Sequence, residues 1–87
     1  MAGIGIQLAP HGDVLAVTGV VPGGGAAEVG LARGDEILEV EGRPVSELGL
    51  GGAVELIRGP EGTSVTLTVR RAEASRTVVV PRRLVRG

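Results

Sequence analysis

The side chains best suited to chemistry are three serines (Ser46, Ser64, Ser75), one histidine (His11) and the carboxylates grouped at Glu36, Glu39 and Glu41. A serine becomes a nucleophile only beside a base that takes its proton. The chain has no lysine, and His11 neighbours none of the serines in sequence, so neither a Ser-Lys nor a Ser-His-Asp arrangement is implied. His11 stands in the turn-like "PHGD" with only Asp13 near it, too few ligands for a metal. Without cysteine there is no thiolate or disulfide chemistry. Glu36, Glu39 and Glu41 interleave with Ile37, Leu38 and Val40, which reads as the wet face of a strand rather than an acid–base pair. Gly3-Ile4-Gly5 begins like a dinucleotide fingerprint, but the third glycine would fall at Leu8 and no helix follows. Gly23-Gly24-Gly25 lacks the Lys-Ser/Thr of a phosphate loop. These residues predict no catalytic, metal or cofactor site, and the chain is expected not to be an enzyme by itself.

Composition narrows the classes further. Eighty-seven residues make one domain, and with no Phe, Tyr or Trp its core must be aliphatic. A net charge of −1 and the lack of stacking aromatics argue against nucleic acid. No apolar run approaches the ~20 residues that span a bilayer, so membrane contact is expected only through other parts of a larger protein, and any leader or anchor is expected to lie outside these residues. Charge is uneven: residues 70–87 carry six arginines against Glu73, and residues 1–69 carry three against nine acids. The plain reading is that these arginines flank a last strand and form a solvated tail over 82–87.

Turn signals at short intervals divide the chain into strands. "GIGIQL" alternates Ile4, Ile6 and Leu8 but places glycine on the other face, a cost to a strand unless a backbone or ligand approaches closely. "VLAVTGVV" reads as a strand, and "AAEV" as one helical turn stopped by Gly30. "EILEV" is a half-exposed strand, and "GRPV" a tight turn into a very short one. In "LGLGGAVELIRG", Leu50, Val54 and Ile57 form one helical stripe, and Ala53 and Leu56 an adjacent one. Gly51 and Gly52 weaken its first turn by about 1 kcal/mol each relative to alanine. "SVTLTVRR" and "RTVVVP" supply two more strands. The sum is an α+β, mainly β domain: a small, partly open barrel or sandwich of five to six strands with one long and one short helix.

Taken together, "GIGI", "VTGVVPGGGAAEVGLARGDEILEVEGRPV" and "AVELIRGPEGTSVTLTVRR" resemble a PDZ domain of the bacterial type over residues 3–81. The "RGPEGT" joint is most similar to that of carboxyl-terminal processing (tail-specific) serine proteases. The resemblance implies a permuted strand order, with the last strand taking the place that a strand ahead of the glycine loop fills in animal members. It also implies a carboxylate-binding loop at Gly3, Ile4, Gly5 and Ile6, with the amides of Ile4, Gly5 and Ile6 facing the C-terminus of a peptide. The peptide would add itself as a strand along Ile6–Ala9, in a groove lined by Leu8, Leu50, Val54 and Ile57, with Ala53 and Leu56 turned to the core. Walls of Ile and Val imply a last residue such as Ala, Val or Leu, and Leu50 an apolar residue two positions upstream. Affinity is expected to be micromolar, about −8 kcal/mol. The expected setting is the periplasm or envelope of a bacterium, as the monomeric recognition domain of a larger protease. The alternative is a scaffold module of a secretion or membrane-anchored assembly.

Overall fold

The computed structural model describes residues 2–83. Six strands and two helices follow one another: β1 (Ile6–His11), β2 (Val14–Val20), α1 (Gly25–Glu28), β3 (Glu36–Val40), β4 (Arg43–Pro44), α2 (Val45–Ile57), β5 (Ser64–Arg71) and β6 (Ala74–Pro81). The strands form one antiparallel sheet in the order β1-β2-β3-β5-β6, with β4 a short branch on β3. The sheet does not close, so β1 and β6 are its two edges. This is the α+β, mainly β arrangement that the sequence implies.

The core is aliphatic. Leu15 and Val17 from β2, Ile37 and Val40 from β3, Val65, Leu67 and Val69 from β5, and Val80 from β6 are all buried against Ala53 and Ile57 of α2. Alternation accounts for most of this set. In β3, Ile37 and Val40 are three apart yet share the buried side. The register against β5 slips between Ile37 and Glu39, so Leu38 is an extra residue that resets the alternation.

Two glycines with positive φ place the connections. Gly30 (φ 83°) closes α1: its N–H donates to Ala27 C=O, and Leu31 N–H to Ala26 C=O, the paired bonds of a Schellman stop. Gly49 (φ 70°, ψ 175°) interrupts α2, separating a first turn at Val45–Leu48 from the run beginning at Leu50. The helix therefore starts earlier than its apolar stripe shows, and β4 shrinks to Arg43–Pro44.

The acidic and basic parts of the chain meet across the folded surface. Arg70 pairs with Glu36 at 2.8 Å, and Arg83 with Glu28 at 2.7 Å. On the outer face of the sheet Glu39 accepts from Thr68 Oγ1, and Glu41 from the Thr66 N–H. Asp35, only 2% exposed, receives two bonds from the Arg71 guanidinium (2.7 and 2.8 Å) and one from the Ala32 N–H (3.0 Å). The solvated-tail reading is thus corrected for Arg82 and Arg83, whose side chains are bonded back onto the domain. Residues 84–87, with Arg86, lie outside the described residues.

Asp35 gives a pH prediction. The hydrogen bonds from Arg71 hold its carboxyl below the usual carboxylate range, against the opposing effect of burial. A carboxyl lowered on folding stabilises fully above its unfolded value of about 4, and that contribution is lost as pH falls through the folded value. The Asp35→Asn variant is expected to be less stable than the wild type at pH 7. The gap should close progressively below about pH 4, read as urea midpoints by circular dichroism. Parallel curves for the two proteins would contradict it.

Candidate functional site

Between the free edge of β1 and helix α2 runs an apolar groove of about 450 Å³. Gly3, Ile4, Gly5, Ile6, Leu8, Leu50, Val54 and Ile57 all line it, so the residues singled out in the sequence are brought to one place. Val21 and Arg58 join them. Val21 is positioned by donating its N–H to Gly5 C=O at 2.8 Å. Arg58 follows Ile57 at the end of α2, where its N–H donates to Val54 C=O and its side chain is exposed. Ile57 serves both the groove and the core at 3% exposure, and Leu50 stands 40% exposed on the rim. Leu56, expected in the core, is only half-buried and packs at its margin.

The glycine loop has a definite polarity. Its carbonyls are all engaged: Ala2 C=O accepts from Gly59 N–H (3.0 Å), Gly3 from Arg83 (3.1 Å), Ile4 from Ala26 (2.9 Å) and Gly5 from Val21 (2.8 Å). The N–H groups of Gly3, Ile4 and Gly5 donate no hydrogen bond among the described residues. Ile4 is 1% exposed, and an unpaired amide at such a position is rare in a native fold. Gly5 has φ 72°, which lets the chain turn there so that successive amides converge, a geometry suited to an anion.

The register of β1 shows which of its backbone groups are free. The Val21–Gly5 bond makes Ile6 and Val20 a non-hydrogen-bonded pair. At the other end the two-residue Gly12-Asp13 turn makes His11 and Val14 the hydrogen-bonded closing pair, and counting back puts Pro10 and Leu8 on outward positions. Both ends agree because the extra residue of the bulge, Thr18, lies on β2. Ile6 and Leu8 therefore turn N–H and C=O to the open edge, and Pro10 offers a carbonyl without an N–H. The side chains of these three share one face.

Ser46 lies in α2, Ser64 at the start of β5, Ser75 in β6 and His11 at the end of β1, so the serines and the histidine stand on four separate elements. No described helix is long and apolar enough to cross a membrane. What the groove offers is a row of free amides, an unpaired strand edge, an apolar wall and one guanidinium at the end.

The comparisons with known proteins agree with this geometry. A family model described as a PDZ domain matches residues 16–71. A carboxyl-terminal-processing protease of Picosynechococcus is 36% identical over 86 residues, which is 94% of this chain and 21% of that protein. A carboxy-terminal-processing protease of Bartonella bacilliformis is 35% identical over 69 residues, 79% of this chain and 16% of that protein. The crystal structure of the PDZ domain of a carboxy-terminal protease from Vibrio cholerae, in complex with a peptide, superposes with a TM-score of 0.84 at 34% identity, covering 99% of this chain and 97% of that one. The chain thus spans about a fifth or less of the curated relatives it matches.

Proposed function

This chain belongs to the PDZ-domain family, and from that we propose that it is the noncatalytic peptide-recognition module of a carboxyl-terminal processing protease in a bacterial envelope. It captures the C-terminal end of an extended peptide and presents it to a protease domain elsewhere in the protein. The observation that carries this reading is the polarity of the glycine loop: carbonyls engaged, amides free, lining an apolar groove beside an unpaired strand edge. The peptide bound to the Vibrio relative supports the same use of the fold.

The terminal carboxylate meets the amides of Ile4, Gly5 and Ile6, and the peptide runs antiparallel to β1, bonding to the outward groups of Ile6 and Leu8. The last side chain enters between Ile4, Ile6, Val54 and Ile57, whose walls suit Ala, Val or Leu. Leu50 meets an apolar residue two positions upstream. Arg58, lining the same end, supplies positive charge for the carboxylate.

The test is an NMR titration with a short peptide ending in Val-x-Ala beside its C-terminally amidated twin. The acid is expected to shift the Ile4, Gly5 and Ile6 amides and the Leu50, Val54 and Ile57 methyls, with a micromolar dissociation constant, and the amide to leave them in place. Arg58→Ala should weaken the acid by no more than about 1 kcal/mol, an effect that salt suppresses. If neither peptide moves these signals, carboxylate capture fails and the scaffold reading takes its place.

A further inference from the structure

Beyond Leu50 the groove does not end. A second concavity of about 220 Å³ lies between the β1–β2 hairpin and the first turn of α2, and Leu50 lines both. Pro10, Asp13, Val45 and Ser46 are among its other walls. Asp13 is the only ionisable side chain in that lining. It is exposed, and among the described residues it makes no ion pair. Glu47, in the first turn of α2, adds negative charge at the same end of the helix.

Building on the proposed peptide reading, we infer that this concavity is a subsite for a basic side chain four residues before the C-terminal residue of the bound peptide. The register selects that position. In an antiparallel pairing, hydrogen-bonded partners recur every second residue. With the last residue opposite Ile6 and the one two before it opposite Leu8, the residue four before it lies opposite Pro10. Directly opposed residues project their side chains to the same face, so this side chain shares the face of Ile6, Leu8 and Pro10. Pro10 has no N–H, so at that point the ladder keeps only the Pro10 carbonyl as an acceptor, and the peptide's side chain supplies the rest of the hold there. An arginine or lysine can lay its aliphatic stem on Leu50 and place its charge at Asp13. The groove then has a cation, Arg58, at the carboxylate end and an anion, Asp13, at the other. That matches a peptide carrying its negative charge at the terminus and its positive charge upstream.

The experiment uses three peptides with the same aliphatic C-terminus and free carboxylate, bearing Arg, Ala or Glu four residues before the last. Each is titrated against the wild type and against Asp13→Asn, a substitution in an exposed turn. At low salt the Arg peptide is expected to bind the wild type about threefold to fivefold more tightly than the Ala peptide, a step the size of one exposed ion pair. The Glu peptide should be the weakest. The Arg advantage should disappear in Asp13→Asn and in high salt, with the Ala peptide unaffected by the substitution. Equal binding of Arg and Glu peptides, tighter binding of Glu, or an Arg advantage that survives in Asp13→Asn would overturn the subsite while leaving carboxylate capture standing. If the Ala peptide itself does not bind, the groove reading fails and the subsite falls with it.

Discussion

Replacing Gly25 by alanine is expected to destabilise the domain by about 3 kcal/mol or more. Helix α1 crosses the end of β6 at this residue so closely that an added Cβ would overlap the Pro81 carbonyl and crowd its ring. The obstacle is backbone, which cannot rotate away as a side chain can. Relief requires α1 to lift, and the next residue, Ala26, donates the bond that holds Ile4 C=O at 2.9 Å. The lesion should therefore reach the glycine loop, weakening peptide capture as well as lowering the urea midpoint. Gly51→Ala provides the contrast. Gly51 lies in α2 with ordinary φ and nothing within 4 Å of an added Cβ, so alanine there should stabilise by up to about 1 kcal/mol. A Gly25→Ala protein within 1 kcal/mol of the wild type would show that α1 can retreat from β6 at little cost.

The contrast between the two glycines also shows what a sequence can carry. Gly51 and Gly25 look alike in the chain, and only the approach of Pro81, more than fifty residues away, separates them. The groove was legible because it is built from local periodicity: the alternation of Ile4, Ile6 and Leu8, and the stripe of Leu50, Val54 and Ile57, each fix a face without knowledge of the partner. The family resemblance then joined the two faces. Less local features were hidden. The start of α2 was masked because Gly49 breaks the helical period between Leu48 and Leu50. The slip at Leu38 looked like imperfect alternation because a bulge announces itself only through its partner strand. Arg70, Arg71, Arg82 and Arg83 read as solvated because their partners are distant in sequence, and several are backbone carbonyls that no residue type announces.

Arg82 is the strongest instance, and its removal is the second large effect expected. Its guanidinium donates to Ile57 C=O (2.9 Å), Leu56 C=O (3.0 Å), Ser64 C=O (2.9 Å) and Thr63 Oγ1 (3.0 Å). Its own N–H donates to Thr63 C=O at 2.7 Å. Leu56 and Ile57 are the last residues of α2, whose final carbonyls have no partner within the helix. A cation there also opposes the negative end of the helix dipole. Arg82→Ala leaves these carbonyls to find water and is expected to cost about 3 kcal/mol. Arg82→Lys keeps the charge, but one ammonium cannot span four acceptors as the planar fork does, so it should recover less than half of the loss. Because Ile57 and Arg58 belong to the helix end that Arg82 holds, both variants should also bind the C-terminal peptide more weakly. Hydrogen exchange at the Arg58 amide, bonded to Val54 C=O at 3.2 Å, reads that helix end directly and should speed up more in the alanine variant than in the lysine one. Exchange unchanged in both, with stability lost, would mean that Arg82 braces only the Thr63–Ser64 turn. Faster exchange together with weaker peptide binding would make this arginine the tie between the end of the last strand and the floor of the groove.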